Sequence, residues 1–452
     1  MTGTYADWTA RLATAPETEA GRLIGQGGLV VVAPHPDDET FGAAALICEA
    51  ARTGRAVGIV AVTDGEGSHR RSVAVSREAL AAIRRAEQEA AVAELGVANA
   101  PWLRLQLPDG GSGRDPRFAA AAERVATFCD AIGASALSAP HPDDPHPDHH
   151  AAAALAEAVR ALRPRLRLLF YPVWSMRLAG DAPYRGDDLL PFRVSVDEDT
   201  KARAIACHAS QLGSVIDDDP DGFTLPSWFL DAQASPYEIH SLAPMPGTVP
   251  PPEHFASLYA DDGDPWHARA SRYEVEKRAD NGDQLQGRSY ERGLDIGCGE
   301  GHLAAALVDA GIVRHMTGLD RDTGIVARAN ARHGENAALS FVTGALPDGL
   351  PDSAFDLVVI SEVLYFLDEQ SLAALVRQLG HRLHPGADLL VVSYLGETGT
   401  PLSGRAAHDL FAALFGTALR TVSLRERENY LAELFRFSPP GGAALADAVP
   451  SR

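Results

Sequence analysis

Apolar runs that predict buried strands alternate with helical patterns through the first half of the chain. The predicted strands are short runs bounded by turn residues, at residues 28–34, 56–63, 102–105 and 134–139. The predicted helices place apolar residues three to four positions apart, over residues 39–52, 76–95 and 118–132. Strands and helices that alternate at this length predict a parallel sheet with helices on both faces.

The second half repeats this alternation after a proline-rich break. Proline and glycine crowd between residues 235 and 253, where the local periodicity is lost. Strand patterns then follow at residues 293–296, 316–319, 339–342, 355–360 and 388–394. The predicted fold class is therefore α/β, with two doubly wound, Rossmann-type domains. They cover residues 1–240 and 254–452, and a linker at 241–253 joins them.

Composition and charge agree with two globular domains and disfavour polyanionic partners. At 452 residues, with 46% hydrophobic and 22% charged residues, the chain exceeds what one core usually organises. Its formal net charge of -21 is spread along the chain, which disfavours binding to nucleic acid or to anionic membrane surfaces. No stretch reaches the roughly 18 apolar residues of a membrane span, and the four cysteines form no CxxC pair. We expect a cytoplasmic protein that acts on a small molecule.

Histidines and carboxylates follow two of the predicted strands. The sequence PHPDDE occupies residues 34–39, and HPDDPHPDHH occupies residues 141–150. Ligand sites of open α/β sheets lie at the carboxyl ends of the strands, so both clusters can face one pocket. A single cluster of this kind is more often a capped turn. Two clusters favour a metal centre, because a catalytic zinc ion takes three His or carboxylate ligands and leaves one position for water.

The two clusters together resemble the PIG-L/LmbE family of zinc-dependent N-deacetylases, which act mainly on N-acetylglucosamine-type substrates. By that resemblance His35, Asp38 and His149 bind Zn²⁺, although the same ligands would accept iron or cobalt. The resemblance makes Asp37 the general base and His146 a group that steadies the oxyanion or serves as an electrophile, with Asp148 orienting His146. Weaker matches include residues 63–66 and 108–110, Arg84 with Glu87, and Lys201 with His208, Ser210 and Gln211. The pair of Arg84 and Glu87 is equally consistent with a surface ion pair.

A glycine-rich turn marks a second candidate site. The sequence LDIGCGEG at residues 294–301 joins a predicted strand to a helix, and Gly318-Leu319-Asp320 ends the next strand. Glycines in such a turn let a ligand approach the backbone, and an acidic residue after the second strand can bind ribose hydroxyls. The alternative is that the glycines only make tight turns. The candidate cofactor-binding residues are Asp295, Gly297, Cys298, Gly299, Gly301, Asp320, Arg321, Ser361 and Glu362.

This half resembles class I S-adenosylmethionine-dependent methyltransferases, in particular the NodS-type N-methyltransferases that methylate the amine of a deacetylated chitooligosaccharide. The matching segments are residues 255–259, 264–266, 273–277 and 361–366. One departure is Ala345, which stands where many of these enzymes place an acidic residue against the adenine amino group. Methyl transfer to an amine also needs a proton acceptor or a desolvated site, and Glu362 and Tyr365 are the candidates for that role.

The two resemblances together suggest one bifunctional enzyme. An amide nitrogen shares its lone pair with the carbonyl, so an acetyl group must leave before the nitrogen can accept a methyl group. We therefore expect removal of the acetyl group from an amino sugar or similar amine, followed by N-methylation with S-adenosylmethionine. The alternatives are an O-methyltransferase or a different acceptor molecule in the second half, or a half that has become a binding module.

Overall fold

The computed structural model describes residues 3–251, 253–254, 257, 264, 267 and 271–439. The chain divides into two compact units, Met1–Pro244 and Met245–Arg452. The segments 255–259 and 264–266 lie outside the described residues except for Ser257 and Asp264. Among the helices that are described, none combines the length and apolar character needed to cross a membrane.

The first unit is built on a seven-stranded sheet. Its strands are β1 Gly3–Thr4, β2 Gly28–Ala33, β3 Val57–Ala61, β4 Trp102–Arg104, β5 Ala134–Pro140, β6 Arg167–Tyr171, β7 Pro183–Tyr184, β8 Leu190–Ser195 and β9 Tyr237–Ala243. Its helices are α1 Tyr5–Ala13, α2 Ala20–Ile24, α3 Asp38–Gly42, α4 Ala44–Arg52, α5 Arg77–Glu94, α6 Ala121–Ile132, α7 Pro147–Leu162, α8 Glu198–Ala206 and α9 Ser227–Gln233. The order in the sheet is β4-β3-β2-β5-β6-β9-β8, while β1 pairs with β7.

The sheet is mixed, which corrects the prediction of a parallel sheet. The first five strands pair in parallel, and all six residues of the central strand β2 are buried, as expected of a strand covered on both faces. Strand β9 instead runs antiparallel to both β6 and β8. Its last residues, 241–243, pair with β6 and β8, so the predicted linker at 241–253 begins too early. Short local patterns did not reveal this strand because proline and polar residues flank it.

The helix predicted over residues 39–52 is two helices, α3 and α4. They meet at Ala43, and a Cβ on the preceding Gly42 would lie 2.0 Å from the Tyr171 ring. The close approach of β6 therefore requires glycine at this point. Two buried side chains satisfy backbone groups freed by the break: Lys201 Nζ donates to the Phe41 carbonyl at 2.9 Å, and Glu238 accepts from the Ala45 amide at 2.9 Å.

The second unit also has a seven-stranded sheet. Its strands are β10 Tyr290–Ile296, β11 Val313–Asp320, β12 Leu339–Thr343, β13 Phe355–Ser361, β14 Leu383–Tyr394, β15 Leu419–Glu426 and β16 Tyr430–Phe437. Its helices in the described residues are α10 Arg272–Leu285, α11 His302–Asp309, α12 Thr323–His333, α13 Glu369–Gly380 and α14 Gly404–Phe415. The order is β12-β11-β10-β13-β14-β16-β15, with the first five strands parallel and the last two pairings antiparallel.

Apolar side chains from both faces of each sheet form the cores. Val30, Val32 and Phe170 are buried under the helices of the first unit, and Leu357 and Val359 are buried in the second. Strand β14 begins at Leu383, earlier than the predicted strand at 388–394, and its register with β13 shifts between Phe355 and Leu357. The α/β fold class with two Rossmann-like domains is confirmed.

Candidate metal and cofactor sites

In the first unit, the two predicted clusters meet where the strand order reverses. Strand β2 lies between β3 and β5, and the clusters follow β2 and β5. A crevice opens at such a switch point because the connections leave the two strands toward opposite faces of the sheet. Helix α3 begins at Asp38, and His146 is the residue immediately before helix α7. The fold therefore brings the two histidine-rich segments to one place.

Three side-chain atoms of these segments form a compact triangle. His35 Nδ1 lies 3.1 Å from Asp38 Oδ2, and His149 Nε2 lies 3.3 Å from Asp38 Oδ2 and 3.3 Å from His35 Nδ1. Ligand atoms held about 2.0–2.1 Å from a tetrahedral zinc ion lie about 3.3–3.4 Å apart. The spacing of these three atoms thus fits a divalent metal ion with one position left open.

A buried carboxylate supports His149 from behind. His149 Nδ1 lies 2.9 Å from Asp144 Oδ1, and the other Asp144 oxygen accepts from the amides of Val173 and Trp174 at 2.7 Å each. Such a partner fixes the ring orientation of a metal-binding histidine. We did not assign Asp144 a role from the sequence, although it follows the same strand as His149. Only the fold shows that the loop after β6 fixes its carboxylate.

Asp37 is buried against Arg84 beside the triangle. The Arg84 guanidinium donates to Asp37 Oδ2 at 3.0 Å and to the Gly65 carbonyl at 3.0 Å. Burial raises the pKa of Asp37 to about 6, and the charge of Arg84 opposes that rise. Arg84 is only 3% exposed, so the alternative of a surface pair with Glu87 is wrong. Glu87 instead accepts from the Ser210 amide at 2.7 Å.

Asp148 lies nearer to His35 than to His146. Its Oδ2 atom is 3.3 Å from His35 Nε2 but 4.0 Å from His146 Nδ1, and it also accepts from the Gly110 amide at 2.6 Å. His146 Nδ1 accepts from the Asp148 amide at 3.2 Å. The carboxylate therefore orients His35 directly, whereas the sequence analysis assigned it to His146. Burial, followed by the charge of His35, lowers the pKa of His146 to about 4.

Two other groupings share His35. His35, His146 and His149 approach one another, as do His35, Asp109 and Asp148, with ligand atoms within 4.8 Å. The triangle with Asp38 is tighter, since its longest edge is 3.3 Å. Of the remaining side chains, His146 approaches His35 and His149, whereas Asp109 and Asp148 contact the other ring nitrogen of His35, Nε2, at 3.5 and 3.3 Å.

In the second unit, the glycine turn also lies at a switch point, between β10 and β13. Gly297 has φ +75°, and a Cβ there would meet a methyl group of Val363 at 2.1 Å. The Gly299 amide donates to Asp320 Oδ2 at 3.1 Å, which ties the turn to the end of β11. Burial, followed by the charge of Asp320, raises the pKa of Asp295 to about 7. The glycines therefore form the turn and also let neighbouring side chains pack closely against its backbone.

This turn lines a cavity of about 240 Å³. Its walls include most of the predicted cofactor residues, namely Asp295, Gly297, Cys298, Gly299, Asp320, Arg321, Ser361 and Glu362, and also Tyr365. Gly301 is not among the lining residues. It precedes α11 with φ +79°, and a Cβ there would lie 2.5 Å from the Phe341 ring, so it serves helix packing. Ala345 does not line the cavity either, although Gly344 and Leu346 do.

Helix α10 closes one side of the cavity with polar groups. Lys277 Nζ donates to Glu274 at 2.7 Å and lies 3.0 Å from Glu362 Oε2, while the Tyr273 hydroxyl donates to Glu362. Asn281, one turn further along, is fully buried and lines the same cavity. The resemblance included Glu274 and Lys277, but no periodicity in this polar helix identified Asn281.

These geometries define two classes of domain: an open α/β domain with a His/Asp metal-type centre, and a Rossmann-like domain with a nucleotide-type cofactor cavity. Residues 30–160 match the PIG-L family, described as GlcNAc-PI de-N-acetylase. Residues 294–386 match a methyltransferase domain family. The chain therefore carries an N-terminal PIG-L domain and a C-terminal methyltransferase domain, which confirms both resemblances.

The methyltransferase half is similar to nodulation protein S. That protein from Bradyrhizobium diazoefficiens is 28% identical over 193 residues, covering 40% of this chain and 88% of the relative. An uncharacterised methyltransferase of Mycobacterium bovis is 33% identical over 103 residues, covering 23% of this chain and half (50%) of the relative. The crystal structure of the N-methyltransferase NodS from Bradyrhizobium japonicum with S-adenosyl-L-homocysteine is 24% identical, with a TM-score of 0.36 over 41% of this chain and 97% of that one.

Proposed function

We propose that this chain is a bifunctional enzyme that removes the acetyl group from an N-acetylated amino sugar or similar amine and then methylates the freed nitrogen. The observation that carries the proposal is the presence, on one chain, of a metal-sized His/Asp triangle in a PIG-L domain and a glycine-lined cavity in a NodS-like domain. The first activity produces the group that the second requires, because a free amine is a nucleophile and an amide nitrogen is not.

In the deacetylase half, His35, Asp38 and His149 would hold the metal ion. Zinc bound there would supply a Lewis acid for the water and the acyl oxygen. Asp37 lies beside the triangle, where it takes a proton from the attacking water and returns it to the leaving amine. His146, whose ring centre lies 4.6 Å from that of His35, donates to the acyl oxygen as negative charge develops there. The products are acetate and the free amine.

In the methyltransferase half, residues of the cavity wall bind and orient the two reactants. S-adenosylmethionine, when bound, supplies an electrophilic methyl carbon. Asp320, at the end of β11, accepts from the ribose hydroxyls, while Gly297 and Gly299 let the backbone approach the cofactor. Glu362 accepts a proton from the acceptor ammonium, which leaves a neutral amine with a free lone pair. That lone pair forms the new nitrogen–carbon bond as the sulfur–methyl bond breaks, with S-adenosylhomocysteine as the leaving group. Tyr365, which is buried in the same wall, excludes water from the acceptor.

Product mass spectrometry tests this proposal. The full chain, loaded with zinc, is incubated with N-acetylglucosamine or its short oligomers, with and without S-adenosylmethionine. We expect loss of acetyl without the cofactor and a further methyl gain only with it, located on nitrogen by fragmentation. D37N should abolish acetyl loss while metal content stays unchanged, and methylation of supplied glucosamine should persist. Acetyl loss without any methyl gain, or a methyl group on oxygen, would contradict the second half of the proposal.

A further inference from the structure

A buried lysine lies between two carboxylates in the wall of the methyltransferase cavity. Lys277 is 5% exposed, and its ammonium contacts Glu274 at 2.7 Å and Glu362 at 3.0 Å. The same ammonium lies 4.8 Å from the ring centre of Tyr273. Carboxylates and an aromatic face are the groups that bind an ammonium ion in proteins. Lys277 therefore occupies surroundings suited to an alkylammonium.

Glu362 is held in this arrangement against its backbone preference. It has φ +60°, in the left-handed region that residues other than glycine rarely adopt. Its amide donates to the Val392 carbonyl at 2.8 Å, which fixes the conformation directly after β13. Strained backbone of this kind persists where the surrounding structure requires it, commonly at functional sites. The strain places the Glu362 carboxylate in the cavity wall.

The carboxylate of Glu362 retains capacity to accept further hydrogen bonds. A carboxylate offers about four acceptor positions, of which Tyr273 takes one at Oε1 and Lys277 one at Oε2. Lys277 also contacts Glu274, so its positive charge is divided between two carboxylates. Arg278, on the same helix, lies 3.9 Å from the other oxygen of Glu274 and adds a weaker positive contact to that residue.

An unsatisfied amide on the same wall indicates that a polar ligand completes the cavity. Asn281 is 0% exposed, and neither its side-chain oxygen nor its nitrogen has a hydrogen-bond partner among the described residues. It follows Lys277 by one helical turn and lines the same cavity. Leaving a buried amide unpaired is unfavourable, and a polar ligand that bonds to it offsets that cost.

We propose that the acceptor binds as an ammonium ion at Glu362, where Lys277 is an internal competitor whose hold on that carboxylate is limited by Glu274. This inference rests on the proposed N-methyltransferase function and makes its acceptor a cationic amine rather than a neutral hydroxyl compound. Glu274 and Lys277 are positioning residues here, since they act on the acceptor through Glu362. Without the Glu274 carboxylate, the Lys277 ammonium pairs only with Glu362. Without the Lys277 charge, the Glu362 carboxylate is available to the acceptor.

Two substitutions of opposite sign test this competition. Methylation of glucosamine and its short oligomers by the full chain is measured at saturating S-adenosylmethionine, and affinity for S-adenosylhomocysteine is measured by calorimetry. We expect E274Q to raise the KM for the amine about ten-fold and K277Q to lower it about three-fold, with S-adenosylhomocysteine affinity unchanged in both. E276Q is the matched control, because it removes the same charge from an exposed position of the same helix.

The results distinguish competition at Glu362 from structural damage and from a role in cofactor binding. Structural damage would raise KM in both variants, so opposite shifts support the competition, and K277R should restore the wild-type KM. Equal KM values in E274Q, E276Q and the wild type would overturn the inference while leaving N-methylation intact. Parallel losses of S-adenosylhomocysteine affinity would also overturn it, because the cluster would then serve the cofactor. A wild-type enzyme that methylates none of these amines would refute the proposed function, and the inference with it.

Discussion

The two units have the same strand order, but different types of residue follow the central strand in each. In both, a central parallel strand lies between its neighbours where the order reverses, and the candidate site follows that strand. The first unit puts a histidine and two carboxylates there, at His35, Asp37 and Asp38, whereas the second puts glycines, at Gly297 and Gly299. The comparison teaches that the sheet determines where a ligand binds and the loop determines which ligand it is.

The difference is also one of side-chain volume. In the first unit, buried polar side chains fill the switch point and support one another, as Asp144 supports His149 at 2.9 Å. In the second, the glycines of the turn carry no side chains, and a cavity of about 240 Å³ remains for a cofactor. A small ion needs ligands that converge, and a nucleotide needs space and backbone contacts.

The largest expected effect separates the two sites completely. H149A removes one corner of the metal triangle, so we expect loss of bound zinc and at least a roughly 1000-fold fall in deacetylation. Methylation of glucosamine should be unchanged. Metal content by mass spectrometry and product analysis check this result. H150A is the control, because that neighbouring histidine is exposed; equal losses in both variants would contradict the assignment.

A smaller effect should follow from filling the space beside the glycine turn. G297A adds a Cβ that would meet Val363 at 2.1 Å in a left-handed backbone, so we expect about a 100-fold loss of S-adenosylhomocysteine affinity. Deacetylation should not change. G311A is matched to it, since Gly311 also has positive φ but a Cβ there meets nothing within 4 Å. Calorimetry that finds equal affinities for G297A and G311A would show that the close approach is irrelevant.

Replacing Asp320, the carboxylate proposed to bind the ribose, should have a more moderate effect. D320N keeps the shape of the side chain but removes its charge, so affinity for S-adenosylhomocysteine should fall about ten-fold. Because burial raises the pKa of Asp320, the wild-type affinity should also fall as the pH drops through that pKa. D322N is a suitable control, since Asp322 caps helix α12 and asparagine can do the same. An affinity independent of both charge and pH would remove Asp320 from the site.

The smallest expected effect is on the stability of the cofactor-free protein. The pKa of Asp295 is about 7 in the folded second unit, above its ordinary value of 3.8, so folding takes up a proton between these values. The carboxylate thus destabilises the cofactor-free protein increasingly as the pH rises through this window, and fully above pH 7. D295N should therefore raise the Tm of this unit by several degrees at pH 8 and by little at pH 4. Calorimetric scans that show equal shifts at both pH values would contradict this.

Sequence patterns predicted the parallel strands of the second sheet and four of the five in the first, because those strands are apolar runs, as in β2 and β13. The parallel strand β6 was not predicted. They also predicted residues that the fold brings together from distant segments, such as His35 and His149, because both clusters follow strands. The antiparallel strand β9 was missed because Glu238, His240 and Ser241 interrupt its apolar pattern and prolines flank it.

Contacts that depend on long-range packing were not predictable from local patterns. The support of His149 by Asp144, the approach of Asp148 to His35 and the unpaired amide of Asn281 all depend on side-chain directions that only the assembled fold sets. The packing of Phe341 against Gly301 was not predictable for the same reason, because the glycine motif alone does not show it.

The break between α3 and α4 has a consequence for the order in which a growing chain can mature. The backbone beside Asp38 is tied down by Lys201 and Glu238, which lie 160 residues after Phe41 and 193 residues after Ala45. Until strand β9 has emerged from the ribosome, the segment that contains His35 and Asp38 lacks the contact with Glu238. We therefore expect the proposed metal ion to bind at full affinity only at the end of synthesis of the first unit, when almost all of its chain has emerged.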